Sequence, residues 1–134
     1  MKLDEALNAG AGRVEAETER GTVDVEVTDV DRLGVRVRGV TVRRSAPADV
    51  VEEAGRLPDA LRALPERVVP VEVSRSLGGA RLRSVPRERE FFEVDVEGGK
   101  TSVRKTRVVD GEREGREWTM TREQLERLVR EMEG

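Results

Sequence analysis

The chain has 134 residues, 40% of them charged, a net charge of −3, and no histidine, cysteine or tyrosine. Those absences remove the usual group for proton transfer near neutral pH, every thiol nucleophile, disulfides and thiolate metal sites, leaving carboxylates, Lys, Arg and hydroxyls for any chemistry. The acidic balance argues against nucleic-acid binding through bulk electrostatics, because phosphate neutralisation needs a positive field.

A chain of this length suits a single domain over residues 1–134, burying roughly two thirds of the surface its unfolded form exposes. The only aromatic residues are Phe91, Phe92 and Trp118, so the core must be built from Val and Leu. The apolar residues are periodic rather than scattered, which a packed face requires and a disordered chain lacks. All but Lys2, Lys100 and Lys105 of the 25 basic residues are arginine, spread through every segment as a compositional bias would spread them. No apolar stretch at the N-terminus suits a signal peptide, and no run approaches the ~20 residues of a membrane span, so the expectation is a soluble cytoplasmic protein with no membrane association.

The first third alternates as a β-meander. Val14, Ala16 and Thr18 alternate with Glu15, Glu17 and Glu19, and Val23, Val25 and Val27 alternate with Asp24 and Glu26, the period of half-buried strands. Arg20-Gly21 is placed as the turn between them. The next strand carries Val35 and Val37 inward and Arg36 and Arg38 outward, then its apolar phase jumps to Val40 and Val42; one inserted residue at Gly39 predicts a β-bulge. Arg36 and Arg38 are expected to offset the neighbouring carboxylates. Those carboxylates lack the Gly-assisted loop pattern of a hard-cation site and are read as a solvated, charge-paired sheet face.

Ser45-Ala46-Pro47 opens a helical stretch carrying Val50, Val51, Ala54 and Leu57. Gly55 to Pro58 is expected to interrupt it, with a second short helix over Asp59 to Leu64, ended by Pro65. Strands resume where Val69, Val71 and Val73 alternate, Gly78-Gly79 turns, and Arg81 to Val85 continues with Arg81 and Arg83 outward. Phe92, Val94 and Val96 alternate with Glu93, Asp95 and Glu97, and Gly98-Gly99 makes a two-residue hairpin turn. That turn sets Glu97 opposite Lys100, Val96 opposite Thr101, Val94 opposite Val103 and Glu93 opposite Arg104. After the strand Lys100 to Val109, Asp110 to Gly115 reads as a polar loop, and Arg116 to Met120 as the last strand. Thr121-Arg122-Glu123-Gln124 is a capping box opening a helix with the stripe Leu125, Leu128, Val129 and Met132.

No Gly-rich phosphate loop, zinc-ligand spacing or hydrolase motif occurs in the chain. The best concentration of binding chemistry is Arg104, Lys105 and Arg107 with Trp118 on the following strand, since cations beside an aromatic can track a single-stranded backbone and stack a base. From Phe91 to Gly134 the order strand, turn, strand, loop, strand, helix, with the junction Trp118-Thr119-Met120-Thr121-Arg122-Glu123-Gln124, loosely resembles the single-stranded DNA-binding domain of the transcriptional positive-cofactor type, without that family's basic, aromatic-rich face. The competing assignment closes Trp118 into the core against the last helix and pairs the cations with Glu93 and other carboxylates.

The expected fold is α+β: a mostly antiparallel sheet of about six to eight strands, covered on one face by a broken central helix and a C-terminal amphipathic helix. The expected function is a non-enzymatic protein-interaction module, such as an adaptor, a chaperone-like or an immunity-type protein, with another protein as partner and no cofactor or metal. A single-stranded nucleic-acid binder is the alternative, and a carboxylate and magnesium enzyme a distant third. A homodimer is expected because a sheet this poor in aromatics leaves edges to cover, with Val35 to Val42 or Lys100 to Val109 as the edge.

Overall fold

A computed structural model describes all 134 residues. In chain order the elements are α1 (Leu3–Leu7), β1 (Gly12–Thr18), β2 (Gly21–Val30), β3 (Gly34–Arg44), α2 (Val50–Ala60) and β4 (Val68–Ser74). They are followed by β5 (Gly79–Ser84), β6 (Glu90–Glu97), β7 (Lys100–Val109), β8 (Glu112–Arg116), β9 (Trp118–Thr121) and α3 (Arg122–Glu133). No helix is long and apolar enough to cross a membrane.

The strands form one antiparallel sheet with the path β1-β2-β3-β7-β6-β5-β4. β7 pairs with β3 through Lys100 to Arg104 and with β8 from Lys105 onward, while β9 pairs with the first residues of β3. β8 and β9 are therefore one run of chain that leaves β7 at Glu117 and joins β3. The remaining neighbours are local hairpins, so the long-range steps that join the two halves are β3 against β9 and β3 against β7, where the Thr41 and Ser102 hydroxyls meet at 3.1 Å.

Most of this follows from the periodicity. The hairpin register at Gly98-Gly99 is the expected one, with Val94 opposite Val103 and Glu97 opposite Lys100. The register of β2 on β3 shifts between Glu26 and Val27, beside Gly39, as the jump in apolar phase requires. The first tight turn uses Glu19-Arg20, with Gly21 opening β2 at φ 159° against the carbonyl of Arg43. Any Cβ at Gly21 would lie 1.9 Å from that oxygen, so glycine is required by close approach.

Four expectations are corrected. α2 runs unbroken through Gly55 and Pro58 and ends at Ala60, and no second helix forms over Asp59 to Leu64. Leu57, Leu61 and Leu64 are nevertheless all buried, so burial of the apolar stripe outweighs the local cost of proline near the C-terminal end. Residues 112–115, expected as loop, and Arg116, expected to open the last strand, form β8, since Asp110-Gly111 is itself a positive-φ hairpin turn. α1 was not expected; Leu3, Ala6 and Leu7, at helical spacing, are buried by it. Finally, neither Val35 to Val42 nor Lys100 to Val109 is an edge: β3 and β7 are the centre of the sheet, and β1 and β4 end the path.

One face of the sheet and all three helices enclose a core made mostly of valine and leucine. Trp118 is 7% exposed and packs edge-to-face on Phe92, with ring centroids 5.4 Å apart. α3 starts at the expected capping box, Thr121 Oγ1 accepting from Gln124 N at 3.0 Å and Gln124 Oε1 from Thr121 N at 2.9 Å. Its other end is held by arginines. Arg56 donates to the carbonyls of Glu131 and Met132, and Arg44 to that of Glu133, satisfying carbonyls that have no partner inside the helix. Both guanidinium groups are fixed by the buried Glu53, at 2.9 Å from Arg44 and 2.7 Å from Arg56. Burial pushes the Glu53 carboxyl up, but the hydrogen bonds from Arg56 and Arg44 outweigh it and hold the group below its ordinary range.

Candidate protein-interaction surface

The residues singled out as a binding strand do not share a surface. Arg104 lies on the face away from the helices and pairs with Glu26 at 3.3 Å. Lys105 points to the other face, over the ring of Phe92 at 5.6 Å and 3.4 Å from Glu90. Arg107 stands opposite Glu90 on the same side as Lys105, its Nε buried without a partner. Trp118 is under the helices, where its ring cannot stack on a base. Alternation places consecutive residues on opposite faces, so Arg104 and Lys105 were bound to separate once the strand was a strand.

The outer face is a lattice of neutralised charge. Asp24 takes Arg13 at 3.2 Å and Arg43 at 3.1 Å, and Arg36 and Arg38 turn instead to Glu117, so the expected pairing across β2 and β3 is carried by other arginines. Glu93 accepts from Arg83 at 2.7 Å and Arg113 at 3.2 Å, and these two guanidinium groups also flank the Phe91 ring. No group of three or more carboxylates converges in a geometry that could hold a metal ion. A cleft of about 780 Å³ opens between the N-terminal residues, the β1–β2 hairpin and α3. Its wall mixes Glu5, Glu17 and Glu126 with Lys2, Arg20 and Arg130, and its buried Glu133 is already engaged by the Thr18 hydroxyl.

β4 departs from this pattern. Its Val68 is buried, but Val69, Val71 and Val73 are 44%, 48% and 43% exposed, and Leu77 and Val85 beside its two ends are 87% and 73% exposed. One side of β4 pairs with β5; the other has no strand, so its backbone donors and acceptors face solvent. The ladder to β5 slips between Pro70 and Glu72, and Pro70 brings no N–H to either side. The other free edges are protected. The Glu17 N–H on β1 already donates to the carbonyl of Met1 at 2.8 Å, and Arg13, Glu15 and Glu17 charge that strand; β8 is fully exposed and carries Glu112, Arg113, Glu114 and Arg116.

The valine alternation was plain in the sequence, and its consequence was not. A period of two says that one set of side chains is apolar; it does not say whether anything covers them. Here the bulge at Pro70 to Glu72 breaks the row, with Val69 opposite Arg83 on the outer face and Val73 opposite Ala80 on the core side, and the sheet order leaves all three valines half-exposed at the edge.

No protein-family model matches the chain, and comparison with curated proteins and with solved structures gives no significant match.

Proposed function

We propose that the protein is a non-enzymatic protein-interaction module, of the adaptor, chaperone-like or immunity type, that receives a partner along the free edge of β4. The observation that carries this is an edge strand with one side unpaired and three half-exposed valines, Val69, Val71 and Val73, in a sheet whose other exposed strands are charged and mutually paired. Strand addition satisfies the open backbone groups, and covering each half-exposed valine adds on the order of 1 kcal/mol. The lack of His, Cys and Tyr supports a role without catalysis. The separation of Arg104 from Lys105 and the burial of Trp118 weigh against the single-stranded nucleic-acid reading.

A photo-reactive residue placed at position 71, compared with one at position 36 on β3, tests the assignment in the cells that make the protein. Adducts from position 71 that are absent from position 36 are the expected result. No adduct from position 71, or adducts from position 36 alone, would overturn it.

A further inference from the structure

We infer that the cleft between the N-terminal residues, the β1–β2 hairpin and α3 binds a primary ammonium group carried on an aliphatic stem. The cleft lies at the β1 end of the strand path, whereas β4 closes the other end.

The group that carries this is Glu133. Three carboxylates are buried in the molecule, those of Glu53, Glu93 and Glu133. Glu53 holds Arg44 and Arg56, and Glu93 holds Arg83 and Arg113. Glu133, 5% exposed, is in no ion pair. Its Oε2 accepts from the Thr18 hydroxyl, and its Oε1 accepts from nothing in the chain. Arg44 and Arg56, which hold the end of α3, are committed to Glu53, and Arg44 reaches only the Glu133 carbonyl. A buried carboxylate is costly unless it is paired, and this one lines an open cleft instead of meeting an arginine.

The chemistry of the missing partner follows from what Glu133 has left. A metal ion would need further ligands, and no three carboxylates converge. A guanidinium fork engages both oxygens of a carboxylate, and here the Thr18 hydroxyl holds one of them. An ammonium is a compact point charge with three donors, and one free oxygen suits it. Val129, one turn before Glu133 on α3, and Leu3 on α1 give the cleft an apolar wall against which methylene groups pack. The remaining charge has the right sign. Side-chain carboxylates around the cleft outnumber side-chain cations five to three, and Glu5, Glu19 and Glu126 are in no ion pair, so the field inside favours a cation.

Nuclear magnetic resonance on the isotope-labelled full chain, titrated with n-pentylamine, reads this directly. Saturable shifts at Thr18, Val129 and Glu133 are the expected result, with 1-pentanol and pentanoate giving none there. Glu133→Gln keeps its shape and an oxygen for the Thr18 hydroxyl, so its melting temperature should not fall, while its affinity for n-pentylamine should drop by about tenfold or more. Arg130→Gln, at an exposed cation of the rim, should bind n-pentylamine as tightly as the wild type or more tightly. The absence of a saturable shift, an equal response to 1-pentanol or pentanoate, unchanged affinity in Glu133→Gln, or weaker binding in Arg130→Gln would overturn the ammonium site. Two further probes separate the sources of the group: spermidine stands for a free polyamine, and Nα-acetyl-lysine N-methylamide for the lysyl side chain of a protein. The tighter of the two identifies the source, and its binding too should weaken in Glu133→Gln; equal binding of both variants and wild type to either probe counts against the site.

Discussion

Replacing Glu53 by Gln should remove a large part of the molecule's stability. The Glu53 side chain is 6% exposed and Arg44 8%, while Arg56, at 30%, can still reach water. Gln keeps one acceptor oxygen but loses the charge, leaving the Arg44 guanidinium, with Nε and Nη2 already unpartnered, buried without a counter-ion. Breaking a buried pair from one side costs about 3–5 kcal/mol, against a total of about 5–15 kcal/mol for a domain of this kind. At about 3 to 4 °C per kcal/mol for a chain of this length, thermal unfolding should fall by roughly 9–20 °C. The damage also reaches α3, because Arg44 and Arg56 hold its last carbonyls only while Glu53 orients them. Replacing the pair together, Glu53→Leu with Arg44→Met, should recover much of the loss, since an apolar pair carries no desolvation cost. The pH dependence has a fixed sign. The Glu53 carboxyl sits below its ordinary value of 4.5, so its contribution is full above about pH 4.5 and is lost as pH falls through the lowered folded value. Thermal melts of wild type and Glu53→Gln from pH 7 to pH 3 check this: the gap between them should be constant above about pH 4.5 and narrow only below it. A Glu53→Gln melting temperature within about 3 °C of wild type at pH 7, less than 1 kcal/mol, would refute the hub.

Three further substitutions probe the frame that carries β4. Trp118→Ala should cost about 3–5 kcal/mol in denaturant unfolding, since its ring is enclosed against Phe92, and native Trp emission in the wild type should be blue-shifted. Thr121→Ala removes the side-chain half of the capping box and should cost about 1 kcal/mol, read by the same titration. Gly21→Ala forces a Cβ onto the Arg43 carbonyl and should meet or exceed the top of the ~1–3 kcal/mol range for overpacking, with hydrogen exchange accelerated first in β2 and β3.

Alternation and turn chemistry are local, and they were sufficient for the hairpins: Gly98-Gly99 and the valine rows of β2, β6 and β7 read directly onto the structure. Sheet order is not local. β3 meets β7 across a sequence separation of about sixty residues, and nothing in either strand names its neighbour, so the edges were misplaced. β8 was missed because Glu112-Arg113-Glu114-Gly115-Arg116 has no apolar face at all; it forms because Asp110-Gly111 turns it back onto β7. The candidate site shows the same division. Val69, Val71 and Val73 were visible as an alternation, but neither the bulge that splits them between the two faces nor the place of their strand at the open end of the sheet was. Of the two readings of Trp118, the core anchor holds and the binding residue does not, because it precedes a helix whose apolar stripe must bury something.

That β4 is the edge on which a partner docks is tested most directly by hydrogen exchange at single-residue resolution, with the isotope-labelled chain dilute in buffer and equally dilute in extract of the cells that make it. The β4 amides that point away from β5 should slow markedly in extract while those of β1 do not change. Unchanged exchange along β4, or slowing at β1 alone, would contradict the docking edge.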